Sequence, residues 1–133
     1  AIYGLKQSPR DWYDNLIDWL TGSPDVKRFE NPHGDKVGGA GFTASKNDPC
    51  LVYKKQGRNI MWTCVYVDDM MMTGDAGMIE EFMKIIDKKT GGRYAIRDLG
   101  TPKNFLGMEI DRSEDGKKVK LTCTRYIENI AKK

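Results

Sequence analysis

Ile60-Met61-Trp62-Thr63-Cys64-Val65-Tyr66-Val67-Asp68-Asp69-Met70-Met71-Met72-Thr73 is an apolar run broken once, near its middle, by two carboxylates. Its β-branched, aromatic and sulfur side chains read as strand. The break divides it into two strands, Ile60–Val67 and a second one resuming at Met70, joined by a tight Asp-Asp turn. Upstream, Leu51–Lys55 has the same character, and Gln56-Gly57-Arg58-Asn59 separates the two as a turn. These strands decide the fold, because the flanking segments read as helices that can cover them.

On the C-terminal side, Gly74-Asp75 marks a break and Asp75 is a fair N-cap. Met78, Ile79, Phe82, Ile85 and Ile86 then recur at helical spacing, with Glu80 and Glu81 early and Lys84, Lys88 and Lys89 late, which suits the helix dipole. Gly91-Gly92 supplies the stop. Tyr94–Leu99 reads as a strand, Gly100-Thr101-Pro102 as a turn, and Asn104–Asp111 with Lys117–Thr122 as a hairpin around Ser113-Glu114-Asp115-Gly116. Arg125 to Lys133 reads as the first turns of a helix.

On the N-terminal side, Ser8-Pro9 reads as a helix start, since serine accepts a hydrogen bond from a free amide and proline suits the first helical position. Trp12, Leu16, Trp19 and Leu20 form the apolar stripe, and the helix should end near Thr21-Gly22. Residues 22–48 are rich in glycine and proline and poor in apolar residues, so they read as a long loop, either inserted or mobile. The order of elements gives an α+β domain with a mostly antiparallel sheet.

Composition narrows the function classes. The chain has 133 residues, 39% of them hydrophobic and 31% charged, which permits a core and argues against disorder. It has no apolar stretch near the roughly 20 residues a spanning helix needs and no signal-peptide core. The expectation is an intracellular setting, cytoplasm or nucleus, and no membrane partner. Without a starting Met, it reads as an excised piece or a processed product. Cys50, Cys64 and Cys123 are odd in number and form no C-x-x-C, so neither a disulfide framework nor a structural zinc site is expected. His33 is the only histidine and lies in a Gly/Pro/Asp-rich stretch, which argues against a hydrolytic triad. The net charge is +3, with basic residues concentrated at 112–133, either a solvated face or a nucleic-acid contact.

Adjacent carboxylates at a tight turn are costly to ionise together unless something positive neutralises them. A hard divalent cation such as Mg²⁺ does so through carboxylate oxygens, and such ions support phosphoryl transfer. Read alone, Asp68-Asp69 is a weak signal, and an ordinary polar hairpin turn accounts for it better.

It does not stand alone. Val65-Tyr66-Val67-Asp68-Asp69-Met70 resembles the Tyr-Val-Asp-Asp box of the reverse transcriptases of copia-type LTR retrotransposons. Ile2-Tyr3-Gly4-Leu5-Lys6-Gln7-Ser8-Pro9-Arg10-Asp11-Trp12 resembles a second segment of that family. Asp48-Pro49-Cys50-Leu51 resembles a third, and Asp98-Leu99-Gly100 followed by Phe105-Leu106-Gly107-Met108-Glu109-Ile110 a fourth, all in the family's order.

The resemblance implies an antiparallel palm-like sheet backed by helices, an incomplete polymerase palm over residues 1–133, with a 22–40 loop insertion and the start of a thumb helix at 124–133. It implies that Asp68 and Asp69 are the catalytic, Mg²⁺-holding carboxylates and that Tyr3, Gly4 and Lys6 border the incoming nucleotide and template. Gln7 and Arg10 lie in the same segment. Phe105, Leu106, Gly107 and Met108 correspond to the primer grip, and Arg125 and Tyr126 to the thumb's first residues. The partner implied is an RNA or DNA primer–template.

Two departures matter. The family's upstream part, with a further metal-binding Asp, has no counterpart before Asp68, so this stretch alone is expected to be inactive and to hold Mg²⁺ weakly or not at all. Residues 22–40 also intervene where the family passes quickly to the Gly-Phe seen here as Gly41-Phe42. The alternative function is a non-catalytic, retroelement-derived interaction or nucleic-acid-binding module. An absent neighbouring strand would expose a sheet edge at Ile60–Val67 or Met70–Thr73, and the helix face at Trp12, Leu16 and Trp19. A homodimer through that edge, or a strand recruited from residues 22–48, would cover it.

Overall fold

Alternation of buried and exposed side chains along the central strand sets the architecture. In the computed structural model, which describes residues 8–132, that strand is β5 (Asn59–Tyr66). Met61, Thr63 and Val65 face inward, fully or almost fully buried, while Trp62 and Cys64 between them face the other side. It pairs antiparallel with β4 (Leu51–Gln56) on one side and β6 (Asp69–Gly74) on the other. A short β3 (Thr43–Ala44) completes the four-stranded order β3-β4-β5-β6.

The described residues fall into two compact units, one up to Ile96 and one from Arg97. The first holds the sheet with α1 (Ser8–Thr21) and α2 (Ala76–Ile86). Leu16, Trp19 and Leu20 of α1 and Met78, Phe82 and Ile86 of α2 enter one core with Val52, Met61 and Val65. The aromatic rings interlock: Phe42 meets Phe82 edge-on at 5.0 Å, and Trp19 meets Tyr94 edge-on at 5.4 Å. Asp75 caps α2 as the sequence indicates, its carboxylate accepting from the Met78 amide at 3.1 Å. Glu80 lies past the first turn and instead pairs with Lys84, one turn on, at 3.0 Å.

The second unit is a three-stranded antiparallel sheet of β7 (Asn104–Phe105), β8 (Met108–Arg112) and β9 (Val119–Thr122), followed by α3 (Thr124–Ala131). Arg125 of α3 pairs with Glu109 of β8 at 3.0 Å, and the Thr122 hydroxyl donates to the same carboxylate at 2.9 Å.

Four expectations need correction. Residues 22–48 are not a bare loop. They contain β1 (Phe29–Glu30) paired with β2 (Lys36–Val37), as well as β3. Asn31 makes the β1–β2 turn: its side-chain oxygen accepts from the His33 and Asp35 amides, and its side-chain nitrogen donates to the Gly91 carbonyl at 3.1 Å. The face of α1 expected to be uncovered is instead buried at Leu16 and Trp19, because Phe29, Ala40 and Phe42 from that segment join the core.

Tyr94–Leu99 is not a strand. Only Tyr94 makes a bridge, to Asp87, and the stretch has no ladder partner beyond it among the described residues. Finally, Asn104–Asp111 is not one strand, since a turn at Leu106-Gly107 folds it back on itself.

Candidate active site

The carboxylate turn lies one residue earlier than the expected Asp68-Asp69 turn. Tyr66 pairs with Asp69, so the loop residues are Val67 and Asp68, and Asp69 opens β6. Val67 has φ +50° and Asp68 does not share that left-handed region. A positive φ at the first central position only is the type II′ signature, which normally places glycine there. Valine there is strained, because its β-branch crowds the backbone. Both Asp68 and Asp69 are exposed.

Helix α1 reaches this turn directly. The Trp12 indole N–H donates to the Val67 carbonyl at 3.0 Å. Trp12 is held in turn by Tyr94, edge-on at 5.3 Å. One turn further along α1, Asn15 accepts from the Tyr94 hydroxyl at 3.1 Å and from Arg93 at 3.0 Å. The Asp48-Pro49-Cys50 segment lies at the same end of the sheet. The Val65 amide donates to the Cys50 carbonyl at 2.7 Å, the Asp48 carboxylate caps the Cys50 amide at 2.8 Å, and the Tyr13 hydroxyl donates to the Pro49 carbonyl. Burial is the main cause that pushes the Tyr13 phenol above its ordinary range, with Cys50, Asp14 and Asp48 adding to it. Burial likewise raises the Cys64 thiol, again with Cys50 and Asp48 adding to it.

Other sequence-derived residues fall elsewhere. Tyr3, Gly4, Lys6 and Gln7 lie outside the described residues. Arg10 is on α1, exposed and 3.7 Å from Asp14. Phe105, Leu106, Gly107 and Met108 form the β7–β8 hairpin of the second unit. Phe105 pairs with Met108, and Leu106 (φ +50°) and Gly107 (φ +79°) are both left-handed, as a type I′ turn requires. Arg125 and Tyr126 sit in the first turn of α3, with Tyr126 exposed.

Among the described residues, no group of three or more His, Cys, Asp or Glu side chains comes together as a metal-holding cluster. Asp68 and Asp69 by themselves offer the hard, exposed oxygens that Mg²⁺ accepts, so the donor type fits and the donor number stays at two. Among the described residues, no helix is long and apolar enough to cross a membrane.

Sequence reasoning missed the Trp12–Val67 bond. Its signal is faint: a tryptophan at the start of the second turn of α1, where its ring is only half-buried and its N–H can reach out of the core.

Comparisons with known proteins agree with the four motifs. The family model described as reverse transcriptase (RNA-dependent DNA polymerase) matches residues 1–133. The chain is 29% identical over 132 residues to the retrovirus-related Pol polyprotein from transposon TNT 1-94 of Nicotiana tabacum, covering 98% of this chain and 8% of that protein. It is 30% identical over 128 residues to the Pol polyprotein from transposon RE1 of Arabidopsis thaliana, covering 96% of this chain and 7% of that protein. The match to RE2 of the same plant is 31% over 127 residues, with 95% and 7% covered. The chain thus spans less than a tenth of the length of these relatives. No solved structure matches it. With the whole chain matched by the family model, it belongs to the copia-type reverse transcriptases, RNA-dependent DNA polymerases of retrotransposons.

Proposed function

We propose that the first unit is the palm portion of an RNA-directed DNA polymerase and that Asp68 and Asp69 hold its divalent metal. The observation that carries this is the two-residue turn, which exposes two adjacent carboxylates at the end of an antiparallel hairpin. Mg²⁺, when bound, supplies activation of a primer 3′-hydroxyl and neutralisation of the departing pyrophosphate. The chain's own residues hold and orient. Asp68 and Asp69 offer oxygens to the ion, and the β5–β6 pairing keeps the two carboxylates adjacent. Tyr3, Gly4 and Lys6 take the nucleotide and template side, with Gly4 allowing close approach and Lys6 meeting a phosphate. The Phe105–Met108 hairpin serves as the primer grip, and α3 begins the thumb.

Two carboxylates bind such an ion weakly, in the millimolar range, which corresponds to roughly 4 kcal/mol at 1 mM. These 133 residues by themselves therefore give little or no primer extension. A Mg²⁺ titration followed by NMR, beside a primer-extension assay with Mg²⁺ or Mn²⁺, tests the reading. Asp68→Asn should abolish metal binding and any residual extension. Micromolar affinity at the pair, or extension that survives Asp68→Asn, overturns it. Salt-sensitive primer–template binding with no extension under any metal would favour a non-catalytic nucleic-acid-binding module.

The edge of the sheet suggests an assembly as well. Strand β6 has β5 on one side and no strand on the other among the described residues, and Met70, Met71 and Met72 include neither proline nor lysine to discourage pairing. A second copy pairing along β6 would cover it, and light scattering at micromolar concentration reads the outcome as dimer or monomer.

A further inference from the structure

We propose that Trp12 is a positioning residue whose indole N–H selects the backbone state of the carboxylate turn. The inference rests on the reading of Asp68 and Asp69 as a metal-holding pair only for its consequence, not for its geometry.

The Val67 carbonyl belongs to the central peptide of the two-residue turn. Types I′ and II′ differ by a flip of that peptide, which changes ψ of the first central residue and φ of the second. In type I′ the second residue is left-handed, and in type II′ it is not. The structure has Val67 left-handed and Asp68 not, which is the II′ state. Flipping the peptide would turn the Val67 carbonyl away and carry the Asp68 amide N–H to the opposite face, reversing the peptide dipole beside the two carboxylates while the Asp68 Cα–Cβ bond keeps its direction.

The Trp12 N–H meets that carbonyl at 3.0 Å. Indole is a donor with a single N–H, so it rewards only the state in which the carbonyl faces α1. The latch is anchored. Tyr94 packs edge-on against the Trp12 ring at 5.3 Å, and Asn15 and Arg93 tie that tyrosine to the helix. Without the latch, nothing in the residue types enforces the choice. Aspartate tolerates a left-handed backbone better than most residues, and valine in the first position is strained in both turn types. Residue 12 therefore sets, from 55 positions away, which way the peptide beside the Asp68 carboxylate faces.

The test uses the 133-residue chain, ¹⁵N-labelled. In Trp12→Phe the ring that meets Tyr94 remains and the donor is gone. The expected result is exchange broadening or a second set of signals confined to residues 66–69, with the strong intraresidue amide–Hα contact of a left-handed residue appearing at Asp68. Paramagnetic broadening of the Asp68 and Asp69 amides by Mn²⁺ should weaken about threefold to tenfold, the equivalent of one ordinary hydrogen bond.

Met61→Val serves as the control, since Met61 is buried and pairs with Gly74, at the end of the β5–β6 hairpin opposite the turn. Unchanged turn signals in Trp12→Phe, or the same turn signals in Met61→Val, overturn the proposal. If Trp12→Phe fails to fold, β-(3-benzothienyl)alanine at position 12 keeps the bicyclic shape and replaces only the N–H, and the same readouts decide. Asp68→Asn separates the two readings. If Mn²⁺ broadening persists in that variant, the metal assignment fails, while the backbone signals of residues 66–69 still decide the role of Trp12.

Discussion

Replacing Val67 with glycine should stabilise the fold and weaken the site at once. Val67 sits at φ +50°, where a β-branched residue is strained, and such strain costs of order 1–3 kcal/mol. Glycine adopts that conformation freely but adds about 0.5–1 kcal/mol of unfolded-state entropy. The side chain is 51% exposed, so little burial is lost. The balance favours Val67→Gly by about 1 kcal/mol, a rise in Tm of about 4–8 °C for a unit of this size. Urea unfolding followed by tryptophan fluorescence measures it. The same change loosens the turn on which Asp68 depends, so Mn²⁺ affinity should fall as stability rises, the trade-off common where strain sits in a functional site. If Val67→Gly lowers stability by 1 kcal/mol or more, on the order of the gain expected, the strain is not there and the turn assignment is wrong.

Two further outcomes follow from the core. Among the described residues the Thr63 hydroxyl, fully buried on β5, has no hydrogen-bond partner, so Thr63→Val should stabilise the chain by about 1 kcal/mol, and a loss measured by chemical denaturation would mean that a further partner satisfies it. Burial raises the Tyr94 phenol above its usual value near 10, with Arg93 opposing. The neutral form is the one the fold favours, so its contribution is complete below the unfolded value and is lost as pH rises through the folded one. Unfolding free energies measured from pH 8 to 11 should therefore fall more steeply in the parent chain than in Tyr94→Phe, which cannot ionise there; equal slopes would contradict the burial.

What was legible in the sequence was whatever a periodicity or a local capping rule determines. The α1 stripe of Leu16, Trp19 and Leu20 and the α2 stripe of Met78, Phe82 and Ile86 are buried as their spacing indicates. Asp75 caps α2 because a carboxylate before an apolar repeat has one local use. The hairpin of Leu51–Lys55 and Ile60–Val67 was legible because Gln56-Gly57-Arg58-Asn59 marks the turn, although the ladder runs one pair further, to Gln56 and Asn59.

Apart from the local turn at Leu106-Gly107, the misses come from pairing and packing partners elsewhere in the chain. Tyr94–Leu99 has strand-forming composition, but beyond the Tyr94–Asp87 bridge it has no ladder neighbour among the described residues, and composition cannot report a missing neighbour. The turn moved by one residue because two carboxylates suggest a polar loop, whereas the ladder keeps Asp69 paired and leaves the apolar Val67 in the turn. Trp12 counts as core by its spacing, yet its polar atom serves a loop 55 residues on, which no local pattern encodes.

Residues 22–40 carry no motif that assigns them a role, and the contacts at their end supply one that a single substitution can test. A helix leaves its last carbonyls without partners. At the end of α1, Trp19 and Leu20 are fully or almost fully buried, so water cannot serve them. The returning segment does so instead. The Ala40 amide donates to the Trp19 carbonyl at 2.9 Å, the Phe42 amide to the Leu20 carbonyl at 2.8 Å, and the Gly39 amide to the Ser23 carbonyl at 2.9 Å. The Trp19 indole closes the arrangement by donating to the Gly38 carbonyl at 3.1 Å. For these bonds to form, the two backbones must lie against each other with no side chain between them. A Cβ on Gly39 would stand 2.3 Å from the Gly22 carbonyl oxygen, which is backbone and cannot swing aside. Gly39→Ala must therefore push the segment off the helix end and break several of these bonds. At about 0.5–1.5 kcal/mol for each bond lost, with buried carbonyls left unpaired, the cost is about 2–4 kcal/mol. Gly34→Ala is the comparison, because a Cβ there meets nothing within 4 Å and only its φ of +86° is unfavourable. It should cost about 1–2 kcal/mol. Side-by-side urea titrations rank the two. If Gly39→Ala proves as mild as Gly34→Ala, the segment does not close over α1, and the burial of Trp19 and Phe42 needs another cause.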